Sequence, residues 1–127
     1  MSNAERISDI LIPVSEALER IIVRFEGVES PDDFVSAERG REKLDAICMQ
    51  PMAVGEAIKR LDRLTGHTLM IRYPAMDWKG IMGLRDIMAH EYFDVNEELI
   101  FQCCRDDVKP LLATVRQMLA DLEKDGK

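Results

Sequence analysis

The run Arg85-Asp86-Ile87-Met88-Ala89-His90-Glu91-Tyr92 sets an arginine, a histidine and a tyrosine within about two helical turns. Each of these side chains suits phosphate chemistry. A guanidinium presents a fixed fork of donors to phosphate oxygens, an imidazole exchanges protons near neutral pH, and a phenol offers a hydroxyl that can itself be modified. Residues on an ideal helix advance by about 100°, so Arg85 and Tyr92 project almost together and Asp86 and His90 are neighbours. Arg85 and His90, by the same geometry, lie about 140° apart. Joint action on one phosphate then needs the reach of the arginine, a distorted last turn, or a second copy of the chain; the second copy is favoured.

The elements that must position this run follow from the spacing of apolar residues. Ile7, Ile10, Leu11, Val14, Leu18, Ile21, Ile22 and Phe25 recur at steps of three and four, which predicts a helix from about Glu5 to Glu26, stopped by Gly27. Ser30-Pro31-Asp32-Asp33 reads as a capping serine, a first-turn proline and two acids favoured by the helix dipole, opening a short turn that carries Phe34. A second long helix is predicted from about Ala37 to Leu64, with Leu44, Ile47, Cys48, Met52, Val54, Ile58 and Leu61 facing the core and Pro51 expected to kink or divide it. Tyr73-Pro74 is an extended connection, because the residue before proline avoids helical geometry. Asp77 then caps a helix from Trp78 to Tyr92, which holds the opening run near its C-terminal end.

Asn96 caps the next helix, with Val95 and Ile100 placed as a hydrophobic staple. Pro110 marks a break or new start near Asp107, before a last helix bearing Leu111, Leu112, Val115, Met118, Leu119 and Leu122. No alternating strand pattern of useful length occurs, so the expected fold is all-α, an antiparallel bundle of four or five helices in one domain over residues 1–127, with 123–127 frayed.

Composition bounds what such a bundle can do. Hydrophobic residues make up 46% and charged residues 32% of the 127, and charge interrupts every apolar run before it could cross a bilayer. The first residues, Met1-Ser2-Asn3-Ala4-Glu5, lack the basic and apolar stretches of a signal peptide, which makes the cytoplasm the expected compartment; residues 1–4 also fit a cloning remnant. Cys48, Cys103 and Cys104 form no CxxC pair and share no ligand spacing with His67 or His90, so reduced, packed thiols and no metal are expected.

A net charge of −7 opposes non-specific attraction to nucleic acid, so any RNA role requires a local basic patch. Arg60, Arg63, Arg72, Lys79 and Arg85 can supply one, against the simpler reading of a solvated surface. Lys59, Arg60 and Arg63 recur along one face of the second long helix and are the expected contacts with RNA or a partner.

With their context, these residues resemble the HepT-like branch of the HEPN domains, minimal all-helical ribonuclease toxins paired with small nucleotidyltransferase antitoxins. The resemblance covers most of the chain. It rests on Gly55-Glu56-Ala57-Ile58-Lys59-Arg60-Leu61, on Tyr73-Pro74 followed by Trp78, on Arg85, four residues, His90, one residue, Tyr92, and on Asp94-Val95-Asn96 leading into an apolar helix. It implies metal-independent endoribonuclease activity without a cofactor, in a cleft of a homodimer where Arg85 and His90 of both copies converge. It further implies that an MntA-like nucleotidyltransferase antitoxin attaches AMP to Tyr92, as in type VII toxin–antitoxin systems.

One residue departs from the family's usual pattern. Asp86 stands where many HEPN proteins carry asparagine, and an acid there adds negative charge beside the proposed phosphate site, although it can also orient His90 and favour its protonated form. The competing reading is a non-catalytic HEPN binding module that regulates or positions a partner nucleotidyltransferase.

Each motif residue also has a plainer role. Arg85 can pair with Glu91, Tyr92 can anchor the core with its hydroxyl at the rim, and a lone histidine in a helical protein is commonly structural. The methionines Met76, Met82 and Met88 read as core or dimer packing and Trp78 as core. His67, after Thr65-Gly66, reads as part of a helix end, and Glu56 as a helix-surface or interhelical hydrogen-bonding group.

Overall fold

The computed structural model describes residues 2–90 and 97–125, with side chains described for 2–84 and 97–124. The all-α expectation holds: among the described residues there are helices and turns but no strand. Four main helices are α1 (Asn3–Phe25), α2 (Glu38–Leu64), α3 (Trp78–His90) and α5 (Val108–Asp125), with a short α4 (Glu97–Gln102) before the last. None of these helices, among the described residues, is long and apolar enough to cross a membrane. Tyr92, Val95 and Asn96, and with them the expected helix end at Tyr92 and the staple, lie outside the described residues.

The helices pack in a fixed order of neighbours. α3 lies along α2, α2 along α1, and α1 along α5, while the fourth side, between α3 and α5, stays open. The core is the one expected from the apolar stripes: Leu11, Ile47, Ile58, Leu61 and Val115 are fully buried, and Ile22, Phe25, Cys48, Met52, Leu119 and Leu122 pack against them from the edge. Capping residues, prolines and a glycine set the course of the chain at several points.

α1 starts two residues before the expected boundary, with the Ser2 hydroxyl accepting from the Glu5 N–H at 3.2 Å. At the other end of the α1–α2 connection, Asp33 accepts from the N–H groups of Glu29 at 2.8 Å and Ser30 at 3.2 Å, closing the 3-10 turn Pro31–Phe34. The start of α2 then passes so close to this turn that a β-carbon on Gly40 would overlap the Asp33 carbonyl oxygen. Backbone, not a flexible side chain, is in the way. Gly40→Ala is therefore expected to destabilise the protein by about 1–3 kcal/mol despite the better helix propensity of alanine, a loss that urea unfolding will measure.

Pro51 was expected to kink or divide the second helix. α2 runs unbroken from Glu38 to Leu64 with Pro51 buried in its middle, and α1 likewise runs through Pro13. In both cases burial of the flanking apolar stripe holds the helix together across one missing N–H. Pro110 was expected to mark a break or new start near Asp107, and α5 does begin there, at Val108, though without a gap in the helical path. The chain from Glu97 to Asp125 stays helical and widens into a π turn over Cys103–Asp107, where the Val108 N–H donates to the Cys103 carbonyl. A proline ring collides with the carbonyl four residues back, here Asp106, and a wider turn just before it relieves that collision.

Candidate functional site

Arg85 to His90 of the opening run form the C-terminal end of α3. Five positions separate Arg85 from His90, about 7.5 Å along a helix axis. What can be followed in atomic detail is how the other end of α3 is fixed. The Asp77 carboxylate caps the helix, accepting from the Gly80 N–H at 3.0 Å, as expected. The Trp78 indole is buried and its Nε1–H donates to the Tyr73 carbonyl at 2.8 Å, and the Tyr73 hydroxyl donates to Asp121 on α5 at 2.6 Å. That bond, with a second from Gln117, holds the Asp121 carboxyl below the usual carboxylate range. Tyr73 and Trp78 thus lock the start of the motif helix onto the last helix.

The block Gly55 to Leu61 faces the core through Gly55, Ile58 and Leu61, all buried. Of the three basic residues singled out on this helix, Arg60 and Arg63 line one shallow depression of about 370 Å³, together with Arg6, Asp9 and Ile10 of α1 and with Leu64. Lys59 is half-buried and does not line it. Arg6 belongs to this cluster although nothing in its local sequence marks it; only the antiparallel packing of α1 on α2 brings it there.

The open side between α3 and α5 is a groove of about 390 Å³ that reaches Leu18, Ile21 and Val54 in the core. Its rim is acidic. Asp77, Asp106 and Asp107 stand around it; burial first, then the neighbouring Asp106 and Asp77, pushes the Asp107 carboxyl up. Asp106 is held down by a two-bond pairing with Arg105 at 2.8 and 2.9 Å. Such a rim repels phosphate.

The remaining reactive groups have structural roles. All three cysteines are free; burial pushes the thiols of Cys48 and Cys103 up to about 11 and that of Cys104 up to about 12, which leaves no thiolate nucleophile at neutral pH. His67 sits in the left-handed region at φ 64°, after Gly66 at φ 63°, in the turn that ends α2. Its N–H donates to the Asp62 carbonyl at 2.9 Å and its ring meets the Asp62 carboxylate at 2.7 Å, while the Gly66 N–H donates to Arg63. The six-to-one and five-to-two pattern is a Schellman cap, so His67 ends a helix as its sequence context suggested. Among the described residues no group of His, Cys, Asp and Glu side chains comes together as a metal site.

The all-helical bundle, whose third main helix carries Arg85 and His90 and is clamped at its start by Tyr73 and Trp78, is consistent with a HEPN-like fold. The match extends through the chain: residues 14–118 fit the family described as Ribonuclease HepT-like, and the protein belongs to it. A candidate RNase of Methanocaldococcus jannaschii, MJ0127, is 26% identical over 106 residues, 84% of this chain and 82% of that one. A candidate RNase of Caldanaerobacter subterraneus, TTE0752, is 32% identical over 66 residues, 52% of this chain and 55% of its own. A third relative, the M. jannaschii gamma-glutamylcyclotransferase and candidate RNase MJ0434, is 26% identical over 92% of this chain, which spans 50% of that longer protein. No solved structure matches the chain at a significant level.

Proposed function

We propose that this protein is the toxin of a toxin–antitoxin pair, a homodimeric endoribonuclease that cleaves RNA without a metal and is silenced by adenylylation of Tyr92. The observation that carries the proposal is the placement of Arg85 and His90 on one helix, five residues apart, in a chain of the HepT-like ribonuclease family. In the reaction, His90 takes the proton from a ribose 2′-hydroxyl, whose oxygen attacks the adjacent phosphorus. The bond to the 5′-oxygen breaks, and that oxygen receives a proton from the second copy's histidine or from water. Arg85 offsets the charge that accumulates on the phosphorus oxygens. AMP on Tyr92, two residues past His90 in sequence, would bring a phosphodiester to the motif, to pair with the Arg85 guanidinium and compete with the RNA phosphate.

A non-catalytic binding module is the second reading. It is favoured by the net charge of −7 and by Asp86 beside the arginine. Growth on induction separates the two: the wild type is expected to arrest cells lacking the partner nucleotidyltransferase, and Arg85→Ala and His90→Ala to leave them growing at equal protein levels. Three harmless proteins would favour the module. With the partner present, Tyr92→Phe is expected to remain toxic; full neutralisation of that variant would mean that tyrosine modification is not the control.

A further inference from the structure

We propose that Arg6, Arg60 and Arg63 form a phosphate saddle that anchors the backbone of an RNA strand at a distance from Arg85 and His90. The inference rests on RNA being the ligand of this protein, and it adds a second point of contact that the motif does not include. Arg60 and Arg63 are one turn apart on α2, Arg6 reaches the same depression from α1, and Asp9 on its edge leaves a net charge of +2.

Convergence sets this cluster apart: arginines from two helices line one hollow. Arg20 meets Glu16, Arg105 meets Asp106, Arg116 meets Glu19, and Arg24 donates to the Ala46 carbonyl. Among the described residues Arg6, Arg60 and Arg63, like the separate Arg39 and Arg41, have no side-chain hydrogen bond or ion pair, and even Asp9, one turn from Arg6 on the same helix, forms no bridge with it. Three guanidinium groups around one hollow repel each other until an anion enters, and a guanidinium fork matches phosphate oxygens. Arg63 alone has a structural explanation, as a last-turn cation on α2. Arg6 has none, because it stands just past the first turn of α1, at the positive end of that helix dipole.

The shape and surroundings point to a nucleic-acid backbone. The depression is shallow and no aromatic side chain lines it, so it offers no platform for a base, and contacts there are independent of sequence. On a chain of net charge −7, with an acidic groove between α3 and α5, an unpaired positive cluster is where a polyanion can land. It lies where α1 starts and α2 ends, near the end of the bundle at which the chain turns toward α3, and His90 closes α3 about 18 Å along the axis from Trp78. The saddle therefore serves strands several nucleotides long and not dinucleotides.

The test is binding of a fluorescent 20-nucleotide single-stranded RNA to the full chain, measured by anisotropy from 50 to 300 mM KCl in a His90→Ala background that prevents cleavage. Replacing all three arginines with glutamine is expected to weaken binding at least tenfold at the lowest salt and to reduce the slope of log K against log salt by about 2, roughly 0.7 for each lost phosphate contact. Arg6→Gln alone should remove about a third of that change, and a control with Lys109 and Lys124 replaced by glutamine should match the background. An unchanged slope in the triple variant overturns the proposal, as does loss of ATP or inorganic phosphate binding with RNA binding intact. RNA bound through the saddle by a wild type that cleaves nothing would sink the ribonuclease reading and leave the saddle; cleavage with an unchanged slope would do the reverse.

Discussion

His90→Ala is expected to slow RNA cleavage by about 10²–10⁴-fold in single-turnover assays with the fold intact, the range typical of removing one positioned acid or base. Arg85→Ala should cost about 10²–10³-fold, as for other single groups that stabilise developing charge. Because both residues act on the same transition state, the double variant should be little worse than the more damaged single one. Arg85→Lys keeps the charge and loses the fork, so a rate between those of arginine and alanine is expected. Addition of EDTA should leave the wild-type rate unchanged. If both alanine variants cleave within threefold of wild type, the motif is not the catalytic centre.

The same variants test how the site is assembled. Arg85 and His90 lie about 140° apart around their helix, so in the proposed dimer, with water as the acid, a composite site draws its arginine from one copy and its histidine from the other. Mixing Arg85→Ala with His90→Ala should then restore about a quarter of wild-type activity, since half of the dimers are mixed and each mixed dimer holds one intact site. No recovery after subunit exchange would place both residues of each site in a single chain.

How much of this was legible in the sequence depends on the range of the interaction concerned. The apolar stripes of α1, α2 and α5 repeat every three to four residues, and the buried set follows them closely. Caps at Asp77 and at the end of α2 are local, and both behave as their residue types suggest. Pro51 does not divide α2, because its cost is local while the burial that offsets it is tertiary, whereas the new start expected near Asp107 is met by α5 at Val108. For the candidate sites, Arg85 and His90 are readable as a pattern six residues long. Arg6 and Arg63 stand 57 positions apart in sequence, and no window of local pattern joins them.

Phe34→Ala is expected to cost about 3–5 kcal/mol, a large share of the roughly 5–15 kcal/mol that holds a domain of this size folded. The side chain is fully buried although it comes from a four-residue 3-10 turn, and that turn touches both α2 and α4. Its ring lies 6.2 Å from that of Phe25 at the end of α1, which lies 5.4 Å from Phe101 on α4, so one aromatic chain ties the α1–α2 connection to the helix that follows the motif segment. Alanine would remove one end of this aromatic chain while the Asp33 cap and the close approach at Gly40 hold the backbone in place, which limits collapse into the cavity. Phe34→Leu keeps most of the volume and should cost under about 1.5 kcal/mol. In urea unfolding the alanine variant should show a lower midpoint with an unchanged slope, and a loss below 1 kcal/mol would mean that the turn can close over the gap and that Phe34 is not what fixes α4.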